Sequence, residues 1–122
     1  MMNLNDELDN FLKGDPRERS RWIYTDKVTL YTRKSRRYLK KQYVTCIDIA
    51  DITVHEPHRG TGVFATFIQH VEQVVADPNN SFQGVFVESI VNPYLMNRLT
   101  KHGYTVRDDC CYKLIDKING LR

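Results

Sequence analysis

The sequence predicts an α/β (α+β) fold: a mixed central sheet with antiparallel N-terminal strands, one parallel pair and flanking helices. Three observations carry this prediction. Apolar residues recur at helical spacing near residues 4–13 and 62–76, as they do on one face of a helix. Between those segments lie β-branched and aromatic runs joined by short polar turns, which makes consecutive strands antiparallel neighbours. The second helical segment then separates two strand-like runs, and two strands joined through a helix lie parallel.

In chain order, Leu4, Leu8, Phe11 and Leu12 line one helical face. Asn3 or Asn5 is a capping residue, and Gly14 with Pro16 is a stop. Residues 15–21 are polar and read as a loop. Val28–Thr32 reads as a strand, Lys34–Ser35 as a turn, Arg37–Leu39 as a second strand and Tyr43–Val54 as a third. Strict alternation in the third puts Ile47, Ile49 and Asp51 on one face and Asp48, Ala50 and Ile52 on the other. Glu56 to Gly62 is a turn, and Phe64, Phe67, Ile68, Val71, Val74 and Val75 mark the helix over 62–76. Asp77–Asn80 breaks it, Gly84–Val91 is a buried strand, and Pro93 opens a helix that stops at Gly103. Tyr104 to Ile115 holds the last strand or strands.

The chain of 122 residues is 41% apolar and 27% charged, which suits one soluble domain spanning residues 1–122. No apolar run reaches the ~20 residues a membrane helix needs. The N-terminus is acidic and polar, unlike a secretory leader, so a cytoplasmic protein with no membrane partner is expected. Cys46, Cys110 and Cys111 are odd in number and two are adjacent, which implies neither a disulfide framework nor a metal site. A net charge of +3 does not by itself point to nucleic acid. Arg33, Lys34, Arg36, Arg37, Lys40 and Lys41 are nevertheless clustered, which suits either a solvated basic hairpin or contact with an acidic protein or an RNA-linked partner.

The most informative segment is a strand running into Arg59-Gly60-Thr61-Gly62 and then a helix. Backbone N–H groups at a helix start point at an anion, the helix dipole adds to the attraction, and glycines let the backbone approach closely. The expected ligand is therefore a phosphate or pyrophosphate, with Arg59 adding a charge-assisted contact. No Walker P-loop run is present. Gly60, Gly62 and Ala65 satisfy the dinucleotide pattern GxGxxA on paper. The chain is short for two mononucleotide halves, however, its preceding strands read as antiparallel, and no acid ends a strand at the expected distance.

Val54 to Phe64 resembles the acetyl-CoA motif of the GNAT superfamily of N-acetyltransferases, a Val approach followed by Arg-Gly-x-Gly. Asn92-Pro93 after the later strand, and Lys101-His102-Gly103-Tyr104, resemble two further family features, and the resemblance covers about residues 24–112. Phe64 stands where the motif ends in a small residue, and Leu99 stands at the position of the family's frequent acid tyrosine. The resemblance implies a small GNAT-like domain that moves an acetyl group from acetyl-CoA, its co-substrate, directly to an amine. It places Ile52, Thr53, Val54, Arg59, Gly60, Thr61, Gly62, Val63, Phe64 and Asn92 at the coenzyme, with a backbone N–H near Thr53–Val54 polarising the thioester carbonyl.

A carboxylate would deprotonate the amine, and the candidates are Glu88, Asp51 and Asp48. Burial of Glu88 in its apolar strand is expected to raise its pKa. Candidate acids for the thiolate are Tyr94, Tyr104 and Ser89. His55 and His58 flank the motif as loop-capping or phosphate-contacting residues, His70 is expected to be exposed, and Trp22 is expected in the core or lining the acceptor site. Two other functions stay open. One is a GNAT-like module that binds coenzyme or a partner, or inhibits one, without turnover. The other is a nucleic-acid-binding protein using Arg33 to Lys41. The acceptor is not legible, and a homodimer is compatible with the sequence.

Overall fold

The computed structural model describes residues 3–88 and 93–118. Its elements in order are α1 (Leu4–Lys13), β1 (Ser20–Tyr24), β2 (Val28–Leu39), β3 (Gln42–Val54), a 3₁₀ turn (Glu56–His58), α2 (Val63–Ala76), β4 (Gly84–Val87), α3 (Pro93–Lys101), β5 (Thr105–Arg107) and β6 (Cys110–Leu114). Among the described residues the strands form one sheet in the order β1-β2-β3-β4-β6-β5. β3 and β4 are parallel and every other neighbouring pair is antiparallel. This is the predicted mixed architecture. No helix among the described residues is long and apolar enough to cross a membrane.

Asn3 caps α1, its side chain accepting from the Asp6 N–H at 2.9 Å. Leu8 and Phe11 of α1 and Phe67, Ile68, Val71 and Val75 of α2 are buried against one face of the sheet, with Leu99 of α3 in the same core. The opposite face carries a smaller cluster of Leu39, Val44, Cys46, Phe86 and Tyr112. The sheet itself shelters that cluster. Arg107 of β5 donates to the Tyr38 carbonyl of β2 at 3.3 Å. Four strand spacings of about 4.8 Å would separate those strands in a flat sheet, so the sheet is curled tightly enough for one arginine to bridge it.

Three local expectations need correction. β2 is one continuous strand, and the chain reverses at Lys40–Lys41 rather than at Lys34–Ser35. Both lysines have positive φ, 49° and 66°, as a tight hairpin turn demands, but neither is the glycine or asparagine that would announce one. The polar stretch before Trp22 already enters β1 at Ser20, because an edge strand needs only one apolar side, here Ile23.

The third correction decides the site. Tyr31 pairs with Asp51 but Thr32 pairs with Ile49, so Ala50 is the extra residue of a β-bulge. Alternation is reset there. Ile52 and Val54 join Ile47 and Ile49 on the helix-covered core, and Asp51 moves to the face that carries Asp48.

Candidate active-site cleft

The parallel ladder between β3 and β4 ends at Ile49 and Val87, with a last bond from the Glu88 N–H to the Ile49 carbonyl at 2.9 Å. The bulge follows directly. Beyond it Asp51–Val54 stay paired with β2 only. The two parallel strands part, and a cleft of about 700 Å³ opens between them. β3 lines it with Asp51, Ile52, Thr53 and Val54, and the other side carries Val87 at the end of β4 and Glu88 just after it.

The floor comes from the turn and the start of α2: His58, Arg59, Gly60, Gly62, Val63, Phe64 and Ala65. Gly60 and Gly62 have φ of 75° and 82°, the left-handed region that costs other residues energy. Gly62 caps α2 with no side-chain hydrogen bond, and the first turn holds no acid. The first N–H groups of α2 therefore have no internal acceptor and favour an anion. Arg59 is held at the end of β3 by its Nε, which donates to the Val54 carbonyl at 2.9 Å. Thr61 donates its hydroxyl to the His58 carbonyl and stabilises the turn without lining the cleft.

α3 adds Leu95 and Arg98 to the wall. Arg98 was not legible in the sequence as a site residue, since a basic residue in the last turn of a helix ordinarily complements the dipole. The turn and Arg98 bring a row of N–H donors and basic side chains to one end of the cleft. Glu88 and Asp51 line it too. That arrangement suits an elongated ligand with an anionic group at one end.

The other predicted residues fall elsewhere. Tyr94 is 86% exposed and is not among the residues lining the cleft. Tyr104 is buried, donates to Glu72 at 2.7 Å and has its pKa raised by burial and that bond, so it is a structural hydroxyl. Ser89 and Asn92 lie outside the described residues. His55 hydrogen-bonds Thr29 and the Asp26 carbonyl, each at 2.9 Å, and ties the end of β3 to the β1–β2 turn. His70 is half-buried against Asp9 of α1 at 2.8 Å rather than exposed. Trp22 is 47% exposed on the helix-free face, outside the core, stacked on Tyr31 at 4.8 Å.

The basic hairpin is partly neutralised from within. Arg33 and Arg37 turn to the same face as Asp48 and Glu88. Arg37 lies 2.6 Å from Asp48 and 3.2 Å from Glu88; Arg33 bonds Glu88 directly and approaches Asp48 at 3.4 Å. Burial pushes the Asp48 carboxyl up to about 7. Burial would also raise Glu88, as expected from the sequence. Its hydrogen bonds to Asp48 and Arg33, and the charge of both arginines, outweigh that and hold it below the usual carboxylate range. Arg36 stands over the Tyr43 ring and, with Lys40 and Lys41, is exposed.

No protein-family model and no curated protein matches the sequence. Solved structures do. The chain is similar to the KacTA–DNA complex (16% identity, TM-score 0.60, covering 89% of this chain and 79% of that one). It is similar to AtaT complexed with acetyl-methionyl-tRNAfMet (13% identity, TM-score 0.61, covering 88% and 78%). It is also similar to a mutant AtaT toxin bound to the C-terminus of the antitoxin AtaR and acetyl-CoA (16% identity, TM-score 0.57, covering 72% and 58%). The chain has the GNAT fold. It spans 58% of the length of the last of these chains. Leu99 is a buried core residue.

Proposed function

We propose that this GNAT-like chain binds acetyl-CoA in the cleft and transfers its acetyl group directly to an amine. The observation that carries this reading is the glycine turn and uncapped start of α2, set where the bulge parts β3 from β4. At about 700 Å³ the cleft has the volume of a cofactor site. The pyrophosphate would lie against Gly60, Gly62 and the start of α2, with Arg59 and Arg98 adding charge. The pantetheine arm would run along Ile52–Val54, with the family's Asn92 as a further contact. The solved AtaT complex with acetyl-CoA supports this choice of co-substrate.

In the transfer, the ammonium form of the acceptor loses a proton to a cleft carboxylate, Glu88 or Asp51. The neutral amine attacks the thioester carbonyl. Its oxyanion is met by a backbone N–H near Thr53–Val54, the C–N bond forms and the C–S bond breaks. The second amine proton leaves with the thiolate, giving an amide and free CoA–SH. No tyrosine among the described residues lines the cleft to supply that proton, so it travels from the amine itself or through solvent. An amine attached to RNA is the acceptor class we favour, on the exposed basic hairpin tip and on the AtaT complex with acetyl-methionyl-tRNAfMet.

The test is calorimetric titration of the purified protein with acetyl-CoA beside a Gly62→Glu variant, which places a carboxylate at the anion cradle. Binding by the wild type and its loss in the variant support the reading. A folded wild type that binds nothing overturns it. The buried Leu99 favours a second reading, a coenzyme- or partner-binding module without turnover. Acetyl-CoA binding with no transfer to any amine in an acceptor screen would select it.

A further inference from the structure

Two carboxyl groups meet behind the cleft. Glu88 lines it, and its side chain keeps 22% of its surface accessible. Asp48, on the adjacent strand β3, is fully buried and does not line it. Both share the same two guanidinium groups, Arg33 and Arg37, and one nitrogen of Arg37 lies 2.6 Å from Asp48 Oδ2 and 3.2 Å from Glu88 Oε2. Arg37 cannot move away freely, since its guanidinium lies 3.7 Å over the Phe86 ring. Both arginines approach Asp48 through Oδ2 alone. Oδ1 is buried and has no hydrogen-bond partner among the described residues. A bare carboxylate oxygen in that position is costly, and the neutral acid costs less there than the charged form.

We propose that Glu88 and Asp48 work as one proton acceptor for the incoming amine, Glu88 taking the proton at the cleft and Asp48 holding it behind the sheet. This rests on the acetyl-transfer reading above. One proton leaves the acceptor ammonium, and the pair, with two negative charges balanced by two arginines, becomes a singly protonated pair. After transfer the proton returns through Glu88 to solvent. Glu88 alone would be a poor base, because the arginines favour its charged form. Asp48 alone would be a better base without access. Coupled carboxyls titrate as a pair rather than as either residue, and burial sets this one near neutrality. The other titratable groups around it are the Cys46 thiol on β3, itself raised by burial, and Tyr112 on β6, across Phe86. Raised in this way, the Cys46 thiol supplies no competing charge at neutral pH.

The test combines pH–rate profiles with carbon NMR of the side-chain carboxyls. The wild type should show an acid limb in kcat/KM near neutrality. Asp48→Asn leaves Glu88 with two arginines and no negative neighbour. Its limb should therefore move to below about pH 5 and its rate at about pH 8 fall tenfold or more, with the KM for acetyl-CoA unchanged. Glu88→Gln should lose about 10²–10⁴-fold. By NMR, Asp48 should titrate near neutrality in the wild type and at a different pH in Glu88→Gln; this holds the proposal to account even where Asp48→Asn does not fold. Asp48 titrating in the ordinary carboxylate range, or a wild-type limb retained in Asp48→Asn, overturns the pair while leaving acetyl transfer intact. A wild type that binds acetyl-CoA but transfers nothing overturns the transfer reading and, with it, the catalytic role of the pair, even where the pair titrates as described.

Discussion

Replacing Gly62 by alanine isolates what the turn contributes. A Cβ built at this position meets nothing within 4 Å, so the substitution creates no clash. Its φ of 82° is unchanged by that room, and a left-handed conformation costs a residue with a Cβ about 1–2 kcal/mol. Against this, alanine stiffens the unfolded chain, which returns about 0.4–1 kcal/mol. The net loss is about 1 kcal/mol, or roughly 3–5 °C in Tm for a domain of this size. Gly62→Asn should lose less, since asparagine tolerates the left-handed region better. Acetyl-CoA affinity should fall more than stability, because a turn that relaxes toward negative φ re-aims the first N–H groups of α2. The assays are thermal unfolding followed by circular dichroism and calorimetric titration. Alanine no worse than asparagine in both would refute the reasoning, because the conformation of Gly62 would then matter neither to the fold nor to the anion.

Other outcomes follow from the same structure. Arg98→Ala should weaken acetyl-CoA binding about tenfold while leaving Tm within a degree or two, as loss of one charge-assisted contact at an exposed wall does. Arg37→Met should destabilise in a pH-dependent way. The folded-state pKa of Asp48 is raised above its unfolded value, so its contribution to stability is full at acid pH and is lost as pH rises towards 7. Without Arg37 that loss extends above 7. Denaturant titration should show a cost of about 3–5 kcal/mol at alkaline pH, the range for an uncompensated buried charge, and clearly less at acid pH; an equal cost at both would contradict the assignment. Replacing Lys40–Lys41 by Asn-Gly relieves two positive φ angles and should stabilise the hairpin by about 1 kcal/mol, read as a rise in Tm.

The features legible in the sequence were those with a strong local signature. α1 and α2 announced themselves through apolar spacing, and the parallel pairing of β3 with β4 followed from the helix between them. The glycine turn was legible because Gly60 and Gly62 do what few other residues can. What stayed hidden depends on distant partners or on counting. Arg98 becomes a site residue only because α3 packs on β6 and reaches the cleft, and Glu88 is held in its charged form by arginines from β2 that are far away in sequence. The Lys40–Lys41 turn has no turn residue to read. The bulge at Ala50 has no composition at all, and only the pairing of two strands reveals it.

That bulge makes the cleft depend on chain length rather than on residue type at one point. Many side chains could replace Ala50 without changing which way Asp51, Ile52 and Val54 face. Removing the residue altogether would leave those directions unchanged, since Asp51 would then follow Ile49 in plain alternation, but it would erase the bend that carries β3 away from β4 and so narrow the cleft. At this position the protein should therefore accept many spelling changes and no missing letter. Relatives that preserve the cleft would be recognised by an unbroken count between β3 and the glycine turn, even where little of the intervening text agrees.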